Sequence, residues 1–178
     1  MTTSTPKRVE DVKDPIGKTG WPNEKGRDGE RTPMQWDASE PQAGFSTSAT
    51  TWLPVASNYK TVNVQTELKD PNSLLNWYKK LIAMRREMPA LHDGGMVMVD
   101  TTNASVLSYV RTAPAGGHAV VVALNMTAQP QTIALDLSPA RISQRTVRTL
   151  LTNVPSLEGV PTTSMTLPPF ASWVGEVQ

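Results

Sequence analysis

Apolar and polar positions divide the 178-residue chain into three stretches of different character. Up to roughly residue 60 there is little sustained periodicity, and Pro, Gly, Ser and Thr dominate. Loops of that length are uncommon in compact domains unless they serve a function or are disordered. Trp21, Met34, Trp36, Phe45 and Trp52 argue against plain disorder, because disordered segments are poor in large aromatic side chains. The stretch "KDPNSLLNWYKKLIAMRREMPAL" then switches to helical spacing: Leu74, Tyr78, Leu81, Ile82 and Arg85 recur on one face, widened by Leu75 and Trp77. Asp70 reads as its N-cap, with Pro71 at the first helical position. Lys79, Lys80, Arg85 and Arg86 complement the dipole toward the C-terminal end, and Pro89 discourages continuation.

Beyond "HDGG" the alternation becomes that of strands. "MVMVD", "VLSYVRT", "AVVVALNM", "QTIALDL", "RTVRTLLT", "SMTL" and "ASWVGEV" are short runs rich in Val, Ile, Leu, Thr and aromatics. Turn-like stretches such as "APAGGH" and "LSPA" separate them. "AVVVAL" is apolar on both faces and reads as a central strand. The predicted fold class is therefore α+β: an irregular segment, one long helix, then an all-β antiparallel sandwich. The apolar stripe of that helix has no obvious partner surface in the chain.

Composition narrows the function classes. Lys plus Arg (17) nearly cancels Asp plus Glu (16), leaving +1, so no field of one sign draws nucleic acid or an acidic membrane. With no cysteine there are no disulfides and no thiolate chemistry, which fits a reducing compartment. "MTTSTPKRVE" lacks the apolar core of a secretion signal, and Ala119–Leu124 is far too short to span a bilayer. The expectation is a soluble, cytoplasmic protein.

Candidate chemistry gathers in "GRDGERTPMQW", residues 26–36. Asp28 and Glu30 could share a face of an extended loop, and glycoside hydrolysis uses two carboxyl groups. Flanking Arg27 and Arg31 would depress both acids, so surface ion pairing is the better local expectation than acid/base catalysis. His92 and His118 stand in turn-like contexts without a cluster at metal-ligand spacing, so no metal is expected. No G-x-S-x-G elbow and no phosphate-binding glycine loop occurs. Trp21, Trp36 and Trp52 could stack on sugar rings, although packing is the default for tryptophan. Trp77 and Trp173 read as packing residues, and Asn125 as a cap for backbone groups. A guanidinium offers a planar fork that can hold a carboxylate and a sugar hydroxyl together, which singles out Arg27 and Arg31.

"DPIGKTGWPNEKGRDGERTPMQWD", "AGFST" and "WLPVASNYKTVNVQTELKDPNSLLNWYKKLIAMRR" together resemble the α-glucosidases of the α-amylase superfamily of glycoside hydrolases, the oligo-1,6-glucosidase, maltase and trehalose synthase types. The block "RDG-x-RTPMQW" is highly specific to that group. After residue 95 the resemblance rests on the strand pattern, "ALNM" and "LPPFASWVGEV". It implies that residues 1–92 are the terminal loop and last helix of a catalytic β/α barrel, an incomplete domain. Residues 93–178 would then be the C-terminal β-sandwich. By the same resemblance Arg27 contacts a terminal glucose, paired with an acidic residue from an earlier barrel loop, while Asp28 and Arg31 shape the loop. The implied substrate-binding set is Arg27, Asp28 and Arg31, with no cofactor.

The family's nucleophile Asp, acid/base Glu and stabilising Asp all lie upstream of such a stretch, and the Asn-His-Asp triplet near the barrel's end is absent here. The expectation is thus a C-terminal portion, inactive alone, whose partners are the missing barrel portion and, in the complete enzyme, α-glucosides. The alternatives are a non-enzymatic carbohydrate-binding or docking module, and an inert remnant made sticky by its exposed helix.

Overall fold

The computed structural model describes residues 6–114, 117–143, 146–157 and 164–178. The chain divides into two compact units, Met1–Leu81 and Ile82–Gln178. The architecture is mixed: short helices in the first unit and antiparallel sheets in the second.

In the first unit the stretch expected to lack periodic structure holds helix α1 (Pro15–Gly20) and 3-10 turns at Val9–Asp11 and Asp28–Glu30. Asp14 caps α1 by accepting the Ile16 N–H, and Pro15 fills the position where a missing N–H costs nothing. Residues 35–36 run beside the start of α2 (Val64–Lys69), where the Val64 and Gln65 N–H groups donate to the Gln35 and Trp36 carbonyls. Buried Asn63 caps α2 through the Thr66 N–H and ties back to the Tyr59 carbonyl. A tight bend at Ala43 (φ 52°) and Gly44 (φ 70°) lets the Ala43 carbonyl accept from Trp36 and Asp37.

Helix α3 (Leu74–Glu87) starts later than the Asp70–Pro71 pair suggested. Asp70 instead follows α2 as its C-cap and accepts the Asn72 N–H. Ser73 takes the capping role: its Oγ accepts the Asn76 N–H, and the Glu67 carboxylate accepts that of Leu75. Those contacts satisfy orphan first-turn donors, which explains the displaced start. No α3 residue is buried, and Leu74, Tyr78 and Ile82 leave 65%, 57% and 49% of their surface open. The helix ends before Pro89, which opens the short α4 (Pro89–His92).

All seven strand runs form strands: the first begins one residue before its run, at Gly95, and each of the others keeps the bounds of its run or falls inside them. They are β1 (Gly95–Asp100), β2 (Val106–Thr112), β3 (Val120–Asn125), β4 (Gln131–Ile133), β5 (Val147–Thr152), β6 (Met165–Leu167) and β7 (Ser172–Val177). β1, β2, β3, β7 and β5 make one five-stranded antiparallel sheet in that order, and β4 pairs with β6 in a second. β3 is central, as its apolar run implies. Val121 and Ala123 join Val106, Val110 and Trp173 in a core that also takes Ile133, Met165 and Leu167 from the small sheet. Val120 and Val122 point the other way, toward Val174, Ala90, Met84, Met88 and Leu91. Two opposed clusters explain why β3 cannot afford a polar alternate position.

Local chemistry fixes this unit in two places. Trp173 is fully buried and donates its indole N–H to Thr149 Oγ1 at 2.9 Å. Its ring lies over Gly175, where a Cβ would stand 2.4 Å from the indole. Asn125, buried at the end of β3, donates its amide to the carbonyls of Gln129, Leu167 and Pro168 and accepts from Thr127 N–H and Oγ1. The sequence expectation of a backbone cap is what the side chain does. Among the described residues no helix is long and apolar enough to cross a membrane.

Candidate functional site

The three residues singled out for substrate contact sit on one turn in the first unit, but their local partners differ from the sequence expectation. Among the described residues Asp28 makes no ion pair: it is buried, and its two oxygens accept the Lys13 N–H at 2.6 Å and the Asp14 N–H at 3.0 Å. Glu30 is exposed in the same 3-10 turn. The charge partner of the arginines is Asp14, which the sequence reading passed over. Its side chain is fully buried, and Oδ2 accepts from both the backbone N–H (2.9 Å) and Nε (3.0 Å) of Arg27. Arg31 Nη1 lies 3.8 Å from the same oxygen, close enough for attraction but not for a hydrogen bond. The available clue was Asp14–Pro15, a helix-capping dipeptide like Asp70–Pro71.

Electrostatics follow that geometry. The Arg27 guanidinium beside Asp14, reinforced by the N–H groups of Arg27 and Ile16, holds the Asp14 carboxyl well below the usual carboxylate range despite the opposing effect of desolvation. The same contact raises Arg27. A carboxyl held that low cannot keep a proton to donate at neutral pH, so Asp14 is no general acid. Asp28 accepts one backbone N–H on each oxygen, which ties residues 13 and 14 to the turn. This cluster builds a loop rather than breaking a bond.

The aromatic residues of the segment are more open than the packing default for tryptophan predicts. Trp52 leaves 77% of its surface exposed, and Trp36, Phe45 and Met34 about half. An open depression of about 890 Å³ is lined by Lys7, Arg8, Lys13, Gln42, Trp52 and Tyr59. Lys13 Nζ stands 5.7 Å from the centroid of the Trp52 ring. His92 pairs with Asp93, and His118 Nδ1 meets the Val177 carbonyl; among the described residues no three His, Asp or Glu side chains gather where a metal could be held.

Comparison with known proteins agrees with the motif block. The alpha amylase catalytic domain matches residues 3–94. The chain is 39% identical over 129 residues to an oligo-1,6-glucosidase of Parageobacillus thermoglucosidasius, covering 72% of this chain and 22% of that protein. It is 40% identical over 128 residues to a probable alpha-glucosidase of Rhizobium meliloti, with the same shares covered. The trehalulose synthase MutB of Pseudomonas mesoacidophila superposes with a TM-score of 0.75 at 29% identity, over 97% of this chain and 33% of that one. The chain thus spans less than a quarter of the length of these curated relatives and a third of the solved structure. Loop, motif and fold converge, and the chain belongs to the alpha-amylase family.

Proposed function

We propose that the chain is the C-terminal portion of an α-glucosidase-type glycoside hydrolase acting on the terminal α-linked glucose of maltose- or isomaltose-type oligosaccharides. On this reading residues 1–92 are the last loop and final helix of a β/α barrel, and 93–178 form an appended antiparallel β-sandwich. Arg27, with Asp28 and Arg31 shaping its loop, is a wall of the glucose pocket in a cytoplasmic enzyme. The carboxylates that carry retaining hydrolysis belong to the barrel portion that precedes this stretch in the family. One forms a glycosyl-enzyme while the other donates and then recovers a proton.

The observation that carries the proposal is the pairing of a buried carboxylate with an open guanidinium cation. Asp14 and Asp28 are buried and hydrogen-bonded to neighbouring N–H groups, whereas the Arg27 side chain stays 48% exposed on the motif shared with the family. Such a loop positions a substrate and supplies no nucleophile. The exposed Leu74, Tyr78 and Ile82 support the same reading, since a final barrel helix turns its apolar face to strands. Purified chain incubated with maltose or isomaltose is expected to release no glucose. Measurable release would overturn the proposal.

The openness of Trp52 and Trp36 favours one second reading, a non-enzymatic carbohydrate-binding module with the aromatic loop as its platform. Saturable maltooligosaccharide binding by the chain, abolished by Trp36→Ala, would select it.

A further inference from the structure

We propose that Asp14 is the positioning residue of the arginine fork: its buried carboxylate grips the Nε edge of Arg27 and thereby aims the opposite edge, with both Nη groups, out of the loop toward the terminal sugar. The sugar half of this statement rests on the reading above; the Asp14–Arg27 half stands on geometry alone.

A guanidinium presents five N–H donors in one plane, so fixing one edge orients the other. Asp14 Oδ2 accepts both the main-chain N–H and Nε–H of Arg27, tying backbone and side chain to a single atom. Among the described residues no hydrogen bond engages the Arg27 Nη groups, and the side chain is 48% exposed. The outward edge is free to meet two hydroxyl oxygens of a hexose. Arg31 Nη1, 3.8 Å from the same oxygen, stands beside the pair without competing for the hydrogen bond.

Asp14 is itself held from behind. Asp28 accepts its N–H and that of Lys13, so the second candidate carboxylate acts on the first through the backbone. Close packing removes the remaining slack. Gly26 has φ +71°, and a Cβ there would lie 2.9 Å from Asp14 Cβ and from Gly17 N. A Cβ at Gly17 would stand 2.5 Å from the Lys25 carbonyl oxygen. Residues 25–27 therefore lie on residues 14–17 with glycine on both sides, and the carboxylate reaches Nε without a long, mobile arm. The order of support runs from Asp28 to Asp14 to Arg27.

Nitrogen-15 NMR of the whole 178-residue chain tests this directly. A downfield arginine Nε–H resonance is expected for Arg27, exchanging with solvent about tenfold more slowly than those of exposed arginines, the size of a charge-assisted hydrogen bond. The exposed set includes Arg8, whose Nε donates to the solvent-open Asp11 carboxylate. Arg27→Lys should remove that resonance and so assign it. Asp14→Asn should return it to the exposed-arginine position while the amide peaks of β1–β7 stay in place. An Nε–H of Arg27 indistinguishable from exposed arginines in the unsubstituted chain overturns the proposal. Should Asp14→Asn unfold the first unit, acid titration of the unsubstituted chain serves instead. The shifted resonance should survive through the pH range where exposed carboxylates protonate, and its loss within that range overturns the pairing. Glucose added to the same sample separates the two claims. A response at Arg27 supports both, whereas no response with the Nε–H still protected defeats the sugar role and leaves Asp14 as the group that orients Arg27.

Discussion

Single side chains carry more of this structure than their exposure in a loop-rich segment suggests. Asp14 has its carboxyl lowered by Arg27, so its contribution is fully present above the ordinary value of 3.8 and is lost as pH falls below it toward the folded value. Chemical denaturation of the first unit should therefore show an acid limb below pH 3.8 that is reduced in Asp14→Asn. Gly175→Ala forces a methyl group into the Trp173 ring and should cost about 1–3 kcal/mol, read from the urea midpoint. Asn125→Ala leaves three carbonyls without their shared donor and should cost about 1–3 kcal/mol. Asn125→Asp, which sets a carboxylate against those carbonyls, should cost more. Arg27 and Arg31 stand out in the sequence as candidates because the guanidinium fork and the motif block mark them. Asp14 does not, because thirteen residues separate it from Arg27 and only the fold closes that gap.

At the scale of elements, the strands were the most legible part. Seven runs of alternating or continuous apolar residues became seven strands because the period of side chains along a strand is fixed by geometry alone. Helix starts were harder. Asp14–Pro15 and Asp70–Pro71 carry the same local signal, yet only the first opens a helix. At the second, Ser73 Oγ and the Glu67 carboxylate from α2 take the first-turn donors, a competition invisible to a reading confined to neighbours. Ser73→Ala should cost about 1 kcal/mol, seen as a lower urea midpoint with loss of helical circular dichroism. The apolar stripe of α3 makes the contrary prediction. Because Tyr78 is open in this chain, Tyr78→Lys should change stability by less than about 0.5 kcal/mol while reducing concentration-dependent association in sedimentation. A cost typical of a core residue would mean that the stripe is covered.

The whole molecule divides its apolar interior unequally. Buried hydrophobic residues of the first unit are few and small (Val12, Ala43, Leu53 and Ala56), whereas the second encloses Trp173, Met165, Leu167 and the valines of β2 and β3. Amides of β2, β3 and β7 should be the slowest to exchange with deuterated solvent, and those of residues 6–60 should exchange first. Equal protection in both units would contradict this division. The burial of Trp173 against the openness of Trp52 has a further use. Of the five tryptophans these two are the extremes, one indole in a dry interior and the other in water beside the cation of Lys13, with Trp36 half open. In a chain with Trp21, Trp36 and Trp77 replaced by Phe, iodide in solution should dim Trp52 and spare Trp173, so the colour of the remaining fluorescence, with no dye attached, distinguishes loosening of the loop from melting of the sheet.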